Sequence, residues 1–369
     1  MIINYKINNE IHNIVISDTI KKNIVSQVEK VKSDKKILLV YDNNINLDII
    51  NVIQNEFKII GVDLVSVRIS GKKKNKNYKI LLKIIDVLIS NQFTKNSILV
   101  SCGGGVVGDL SNFAASIYLR GMVYFHIPTT MTAIVDSCIG GKTAINYKNV
   151  INSIGTYYHP KSVLIFKEII DNLPEREYLA GIPEILKCGL IKKTSLLNFI
   201  ENFHKEIKER KFKILKKVIF ETLKVKIYYF KKDIYEKNIR LNLNFGHTFA
   251  HAIEMATDKY IKKDFFRHGE AVGLGIMCEI YYSYQKDSKL LNYVKQILDL
   301  YKLPTKIICE KNFKDKAKIQ SEIYKAIFLD KKKLNRYPRY INMKKKFKPN
   351  IKEIKNFNLI NLTIKKFLN

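Results

Sequence analysis

Three of the chain's seven histidines fall within one short stretch, His247 and His251 in Asn244-Phe245-Gly246-His247-Thr248-Phe249-Ala250-His251 and His268 in His268-Gly269-Glu270-Ala271-Val272. Residues four apart on a helix share a face, with Cβ atoms about 6 Å apart, so His247 and His251 can serve one polar pocket or one ion. Upstream, Glu184 and Lys187 stand three apart, which places a carboxylate and an ammonium on one face of another helix. Imidazole nitrogen and carboxylate oxygen are the ligands of borderline divalent metals, and these five side chains together point to an N/O-ligand metal site. The five cysteines (Cys102, Cys138, Cys188, Cys278, Cys309) are far apart and contain no C-x-x-C pair. That spacing argues against a thiolate zinc site and against a disulfide framework, and it fits a reducing cytoplasm.

A second kind of chemistry is written in glycine. Gly103-Gly104-Gly105-Val106-Val107-Gly108-Asp109 follows the apolar run Ser97-Cys102 and opens a helical stretch. Such a turn lets the backbone approach a diphosphate, while the helix N-terminus offers unpaired N–H donors and a partial positive charge. The acidic ribose-binding residue of the standard dinucleotide fold, some 20 positions further on, is missing from Met122-Pro128. A third segment, Pro128-Thr129-Thr130 followed by Val135-Asp136-Ser137-Cys138-Ile139-Gly140-Gly141-Lys142-Thr143, places small and polar residues directly after a strand. The spacing of a P-loop fails there, because the residue five before Gly141 is Asp136.

The elements that must position these groups change character midway. Up to about Phe166, apolar runs such as 36–42, 97–102 and 122–128 alternate with helical stretches, the pattern of a Rossmann-like α/β domain with a largely parallel sheet covered on both faces. Beyond Leu173-Pro174 the strand signal nearly vanishes, and apolar residues three and four apart recur over about 175–201, 212–235, 244–257, 268–286 and 288–301. The expectation is a dinucleotide-binding α/β domain over residues 1–168 and an all-α metal- and substrate-binding domain over 169–369. The first residues alternate like a strand pair and lack the apolar core of a signal peptide, so a soluble, unprocessed protein is expected. Of the 65 basic residues only eight are arginines, which leaves 57 lysines and a net charge of +31. Lysine scattered among Ile and Asn is the vocabulary of an AT-rich coding sequence, so neither nucleic acid nor a membrane is expected as a partner; runs such as Lys72-Lys74, Lys331-Lys333 and Lys344-Lys346 read as solvated faces.

From roughly Asp42 to Lys332, about four fifths of the chain, these segments resemble 3-dehydroquinate synthases in order and spacing. The resemblance rests on Gly-Gly-x-Val-Gly-Asp-Leu, Tyr118-Leu119-Arg120-Gly121, Pro-Thr-Thr, Val-Asp-Ser-x-x-Gly-Gly-Lys-Thr, Leu173-Pro174-x-Arg176-Glu177, Glu184-x-x-Lys187, Asn-x-Gly-His-Thr-Phe-x-His-Ala and His-Gly-Glu-Ala-Val. It implies a homodimeric cytoplasmic lyase of the shikimate pathway, which converts a phosphorylated sugar acid to 3-dehydroquinate and phosphate with NAD and zinc, cobalt being an admissible substitute. It further implies that Glu184, His247 and His268 hold the metal. Asp136, Lys142, Asn152, Lys187, Lys226, Glu236, Arg240, Asn244 and His251 match active-site positions, and Arg120 would reach the phosphate in a neighbouring subunit. NAD would lie against Asp42, Asn44, Gly104, Gly105, Val106, Gly108, Asp109, Thr129 and Thr130, with Asp136, Ser137, Lys142, Asn172, Leu173 and Glu177 completing its surroundings. Three positions depart from the family pattern: Ile151 stands where a lysine is usual, Lys73 where an acid is usual, and Asn172 where a threonine is usual.

Overall fold

The structure, a computed structural model, describes residues 1–148, 150–308, 313–328 and 337–368. Cys309 and the Lys331-Lys333 run therefore lie outside the described residues. The chain divides into two compact units, Met1–Tyr178 with Leu215–Ile227, and Leu179–Ile214 with Tyr228–Asn369.

The first unit is built on strands β1 (Ile2–Ile7), β2 (Glu10–Ser17), β3 (Lys36–Asp42), β4 (Asp63–Ile69), β5 (Ile98–Gly103), β6 (Val123–Pro128), β7 (Lys142–Tyr147), β8 (Val150–Tyr157) and β9 (Ser162–Phe166). Seven of them form one sheet in the order β1-β2-β9-β6-β5-β3-β4, and every neighbouring pair is parallel except the β1–β2 hairpin. Central strands read as continuous apolar runs because both faces are covered. Leu39, Val100 and Phe125 pack on one side with Ile53 and Phe57, whereas Leu38, Leu99 and Tyr124 pack on the other with Ile84 and Leu110. The chain leaves β3 towards β4 on one side and returns to β5 on the other. That reversal opens a crevice at the carboxyl ends of β3 and β5, the place where open α/β sheets take their ligands. The expected α/β half with a parallel sheet is present. Strands β7 and β8 form a separate antiparallel hairpin with one irregularity between Ile145 and Tyr147.

The second unit is helical. Helices Ile182–Lys192, Thr194–Asn202, His247–Tyr260, His268–Tyr284 and Lys289–Leu300 occupy the periodic stretches of the sequence. The His268–Tyr284 helix is buried almost all round, as its run of Ala, Val, Gly, Leu and Ile dictates, and it packs against Ile182–Lys192, His247–Tyr260, Lys289–Leu300 and the final helix Phe357–Phe367. One addition to the helical reading is a short hairpin of β10 (Arg339–Asn342) and β11 (Asn350–Glu353). Among the described residues no helix is long and apolar enough to cross a membrane.

Beneath the glycine turn lies a buried polar relay. His126 Nδ1 is 2.7 Å from Ser101 Oγ, which is 2.6 Å from the Tyr124 hydroxyl, and Tyr124 donates to the Gly108 carbonyl at 3.2 Å. Satisfying all three contacts with one proton per hydroxyl requires the imidazole to donate, which a neutral His126 does from Nδ1. Burial pushes the His126 pKa from 6.5 down to about 3, with Ser101 opposing in part. The native chain thus keeps this ring neutral while the unfolded chain protonates it, so its contribution is complete above the unfolded pKa and lost as pH falls towards the folded one. Urea unfolding should show a loss of about 2 kcal/mol between pH ~7.5 and ~5 that a His126→Asn variant lacks; equal losses in both proteins would remove His126 as the cause.

Candidate functional site

Glu184 is fully buried and Lys187 is 1% exposed, and the two form an ion pair one helical turn apart. Lys187 lies against Oε2, and Oε1 has no hydrogen-bond partner. Oε1 instead lies 3.7 Å from Nε2 of His247 and 3.7 Å from Nε2 of His268. Ligands about 2 Å from a tetrahedral ion stand about 3.3 Å apart, close to the two Oε1–Nε2 separations, and one ligand atom from each of the three residues lies within 4.8 Å of the others. Both imidazoles are oriented for that task by their other nitrogen. His247 Nδ1 faces the Phe245 carbonyl at 3.3 Å, and His268 Nδ1 faces Glu254 Oε2 at 3.1 Å. A proton held on each Nδ1 leaves both Nε2 lone pairs pointing at Glu184, the arrangement by which outer partners fix the tautomer of a metal-binding histidine. A donor set of two imidazoles and one carboxylate leaves positions open on zinc for oxygen ligands.

Close backbone approaches bring the three ligands together. Gly246, at φ +84°, turns the chain into the His247–Tyr260 helix in the left-handed region that glycine tolerates. At Gly269, one residue past His268, an added Cβ would lie 1.6 Å from the Ala180 carbonyl, so only glycine lets the start of that helix sit against the segment leading to Glu184. Glu270 accepts from the Arg267 backbone N–H at 2.9 Å and fixes the first turn on which His268 stands. His251 is exposed, its ring 5.5 Å from that of His247 and 5.9 Å from that of His268. Further along the same unit, Asp233 accepts from the backbone N–H of Lys237, Asn238 and Arg240. Burial opposes its charge, yet those three donors hold its carboxyl below the usual range. The anchored loop carries Glu236, which accepts from Asn244 at 2.7 Å, and Arg240, which is buried and donates to the Ile234 carbonyl at 2.6 Å.

In the first unit the glycine turn, Thr129, Thr130, Asp136 and Ser137 come together at the carboxyl ends of the strands. An added Cβ would meet Thr130 at 2.9 Å from Gly104 and Ser137 Oγ at 3.2 Å from Gly105, and Thr129 N–H donates to Gly103. The Gly105–Ile117 helix starts there with no side-chain cap, so its first N–H groups face the turn. Asp109 is ion-paired with Lys76; burial raises its carboxyl pKa, and Lys76 and Lys142 oppose that rise. Lys76 also bonds Asn152, whose backbone is left-handed at φ 50°. Buried Lys226 is paired with Asp136. Asp42 Oδ1 accepts from Asn44 N–H at 3.1 Å and from Gly71 N–H at 3.3 Å, closing the end of β3.

Other expected positions sit apart from these groupings. Asn172 caps the short Lys167–Asp171 helix through the Glu168 carbonyl, with buried Leu173 and half-buried Glu177 just beyond it. Ile151 is 59% exposed on β8, and Lys73 is exposed in a 3-10 turn. Leu119 and Arg120 both have positive φ, and this strained turn holds Arg120 at the surface. Glu254, Asp233 and Lys76 were not anticipated from the sequence. Glu254 had a usable signal, since it lies seven residues after His247 and shares its helical face. Asp233 and Lys76 had none, because their partners are main-chain groups or residues distant in sequence.

Residues 66–180 match a family model described as 3-dehydroquinate synthase N-terminal, and residues 181–333 one described as 3-dehydroquinate synthase C-terminal. A 3-dehydroquinate synthase of Clostridium botulinum is 31% identical over 88% of this chain and 89% of its own length. One of Dictyoglomus thermophilum is 46% identical over 58% of this chain, and the match spans 59% of that relative's length. Among solved structures, 2-deoxy-scyllo-inosose synthase complexed with carbaglucose-6-phosphate, NAD+ and Co2+ superposes over the full length of both chains with a TM-score of 0.86 at 22% identity. The 2-epi-5-epi-valiolone synthase of Streptomyces hygroscopicus, with NAD+ and Zn2+ bound, superposes over 96% of each chain with a TM-score of 0.83 at 19% identity.

The His268–Glu254 contact generates a measurable expectation. Glu254→Gln keeps all three candidate ligands but weakens the acceptor that orients His268, so zinc affinity should fall about 10- to 100-fold in competition with a chromophoric chelator. An unchanged affinity would show that Glu254 does not support the site.

Proposed function

Because the chain belongs to the 3-dehydroquinate synthase family, we propose that it converts 3-deoxy-D-arabino-heptulosonate 7-phosphate to 3-dehydroquinate and phosphate, as a carbon–oxygen lyase acting on phosphates. The observation that carries the reading is the buried Glu184 carboxylate, whose Oε1 lacks a hydrogen bond and faces two imidazole nitrogens whose tautomers are set from behind. That donor set suits a zinc ion, and it tolerates cobalt. A divalent ion held there would lower the pKa of a substrate hydroxyl bound to it, and NAD would accept a hydride from the substrate and return it within the same turnover.

The remaining work falls to side chains of this protein. Glu184, His247 and His268 hold the ion, and Lys187 balances the buried carboxylate. The N–H groups of the glycine turn, with Thr129 and Thr130, receive the dinucleotide's diphosphate, and Asp42 and Asn44 receive its adenosine end, while Asp136, Ser137, Lys142, Asn172, Leu173 and Glu177 complete the contacts. Lys142, Lys226 and Arg240 supply the positive charge that a phosphorylated sugar acid requires, and Asn152, Glu236 and Asn244 bind its hydroxyls. His251 exchanges protons or donates hydrogen bonds near the phosphate and ring hydroxyls. Arg120, held on its exposed turn, completes the phosphate contact in a second copy of the chain, which makes the working form a homodimer in the cytoplasm. The net charge plays no part in this chemistry, and neither nucleic acid nor membrane is a partner.

The activity test is phosphate release by the purified chain with zinc and NAD. Turnover is expected with the sugar acid named above; release from neutral cyclic sugar phosphates alone would assign the chain to another cyclase activity, and accumulation of NADH would indicate a polyol dehydrogenase. Within the site, His247→Ala should lose bound zinc and activity together. His251→Ala should retain one zinc per chain and lose turnover by about 100-fold or more, the usual scale for removing an acid–base group. Equal loss of metal in both variants would show that the two histidines do not divide the work in this way.

A further inference from the structure

Among the described residues of the second unit, two groups of three side chains could each hold a metal ion. Glu184, His247 and His268 form the first; His251, Glu254 and His268 form another, again with one ligand atom from each residue lying within 4.8 Å of the others. The two groups share a single ring. His268 Nε2 faces Glu184 at 3.7 Å while its Nδ1 faces Glu254 at 3.1 Å, so each nitrogen of the imidazole addresses a different carboxylate. His251 lies roughly parallel to His268, at 28° and 5.9 Å between centroids, and unlike Glu184 it is open to solvent.

We infer that His251, Glu254 and His268 form a second, weaker binding site for a divalent transition metal, which fills when such metal exceeds one ion per chain and blocks turnover. The inference rests on the reading in which the first ion is held by Glu184, His247 and His268. Its chemistry is ligand substitution without redox change. The second ion takes the place of the proton on His268 Nδ1, that proton leaves to solvent, and the imidazole ring then bridges the two cations. Glu254 exchanges its hydrogen bond for a metal–oxygen bond, and His251 supplies the third ligand. Three anionic ligands, namely Glu184, Glu254 and the deprotonated ring, offset part of the charge of the two cations. Soft and borderline ions with high imidazole affinity, zinc foremost, are favoured over magnesium or calcium, which take oxygen donors. Occupation removes His251 from the substrate and withdraws the acceptor that sets the His268 tautomer, so the same event that fills the second site stops the reaction.

The experiment is equilibrium dialysis of the zinc-loaded protein against rising free zinc, with phosphate release measured in parallel. Two classes of ion are expected, one tight and one weaker, and activity should decline over the concentration range in which the weaker class fills. In His251→Ala the tight ion should remain, which also reports an intact fold, and affinity for the second should fall at least 10-fold; His251→Asp, which restores a ligand, should recover part of it. Magnesium at the same concentrations should leave activity unchanged. A second ion bound undiminished by His251→Ala, or a wild-type chain that takes only one ion throughout the inhibitory range, would overturn the proposal. A wild-type chain that takes no tight ion at all would overturn the first triad as well.

Discussion

Glu184 has no surface in contact with water, and a carboxylate so placed persists only with opposite charge beside it. The paired ammonium of Lys187 meets that demand on one side. On the other side the two imidazoles face it with nitrogen lone pairs, an arrangement that repels a carboxylate unless a proton or a cation lies between. Much of the surrounding architecture follows from this constraint. Three helices must converge, and the glycines at 246 and 269 let them do so at backbone contact; a carbonyl and a second carboxylate must hold the rings from behind so that the right nitrogens converge. Removing any one of these features leaves a buried charge with incomplete compensation, which costs more than the contact itself is worth.

The same principle sorts the lysines. A chain with 57 of them offers little to distinguish one from another by sequence. Burial does distinguish them. Among the described residues the buried lysines are Lys76, Lys187 and Lys226, and each lies against a carboxylate, respectively Asp109, Glu184 and Asp136. Lysine is almost never buried without a partner, and these three pairs lie beside the glycine turn, the Glu184 group and the Asp136 segment. The runs Lys72-Lys74 and Lys344-Lys346 lie largely in solvent, where screening and hydration make them interchangeable. A high net charge is then a property of the surface and says little about the chemistry.

What could be read from the sequence follows the same physics. Helices such as 247–260 and 268–284 were legible because one or both faces are buried, which imposes a period, and the central strands because burial on both faces demands continuous apolar runs. Val150–Tyr157 was not legible as a strand, since all but its last residue is exposed; main-chain pairing with β7 holds it, and a pairing that buries no side chain writes no pattern. The four-residue strands β10 and β11 are too short to show alternation. At the candidate site, the grouping of Glu184, His247 and His268 was readable because imidazole and carboxylate are rare in apolar helices. Their supports were not, for Asp233 acts on backbone N–H groups and Lys76 meets Asp109 and Asn152 across long stretches of sequence, and no local spacing encodes either.

The departures at the dinucleotide end are intelligible in the same terms. The cradle at the β3–β5 crevice is made of main chain: the turn through Gly103–Gly105, the uncapped start of the Gly105–Ile117 helix, and the closed end of β3 around Asp42. Main-chain donors and a helix terminus do not depend on side-chain identity. Ile151 and Lys73, by contrast, sit on exposed backbone, and Asn172 is occupied in capping a helix. On the proposed reading, substitutions at these three positions act on the ends of the dinucleotide and leave its diphosphate contacts intact. An exposed charge contributes about 1 kcal/mol or less to an interaction in water, so their effect falls on affinity for the dinucleotide. The metal group proposed for Glu184, His247 and His268 lies in the other unit, where none of the three residues is found.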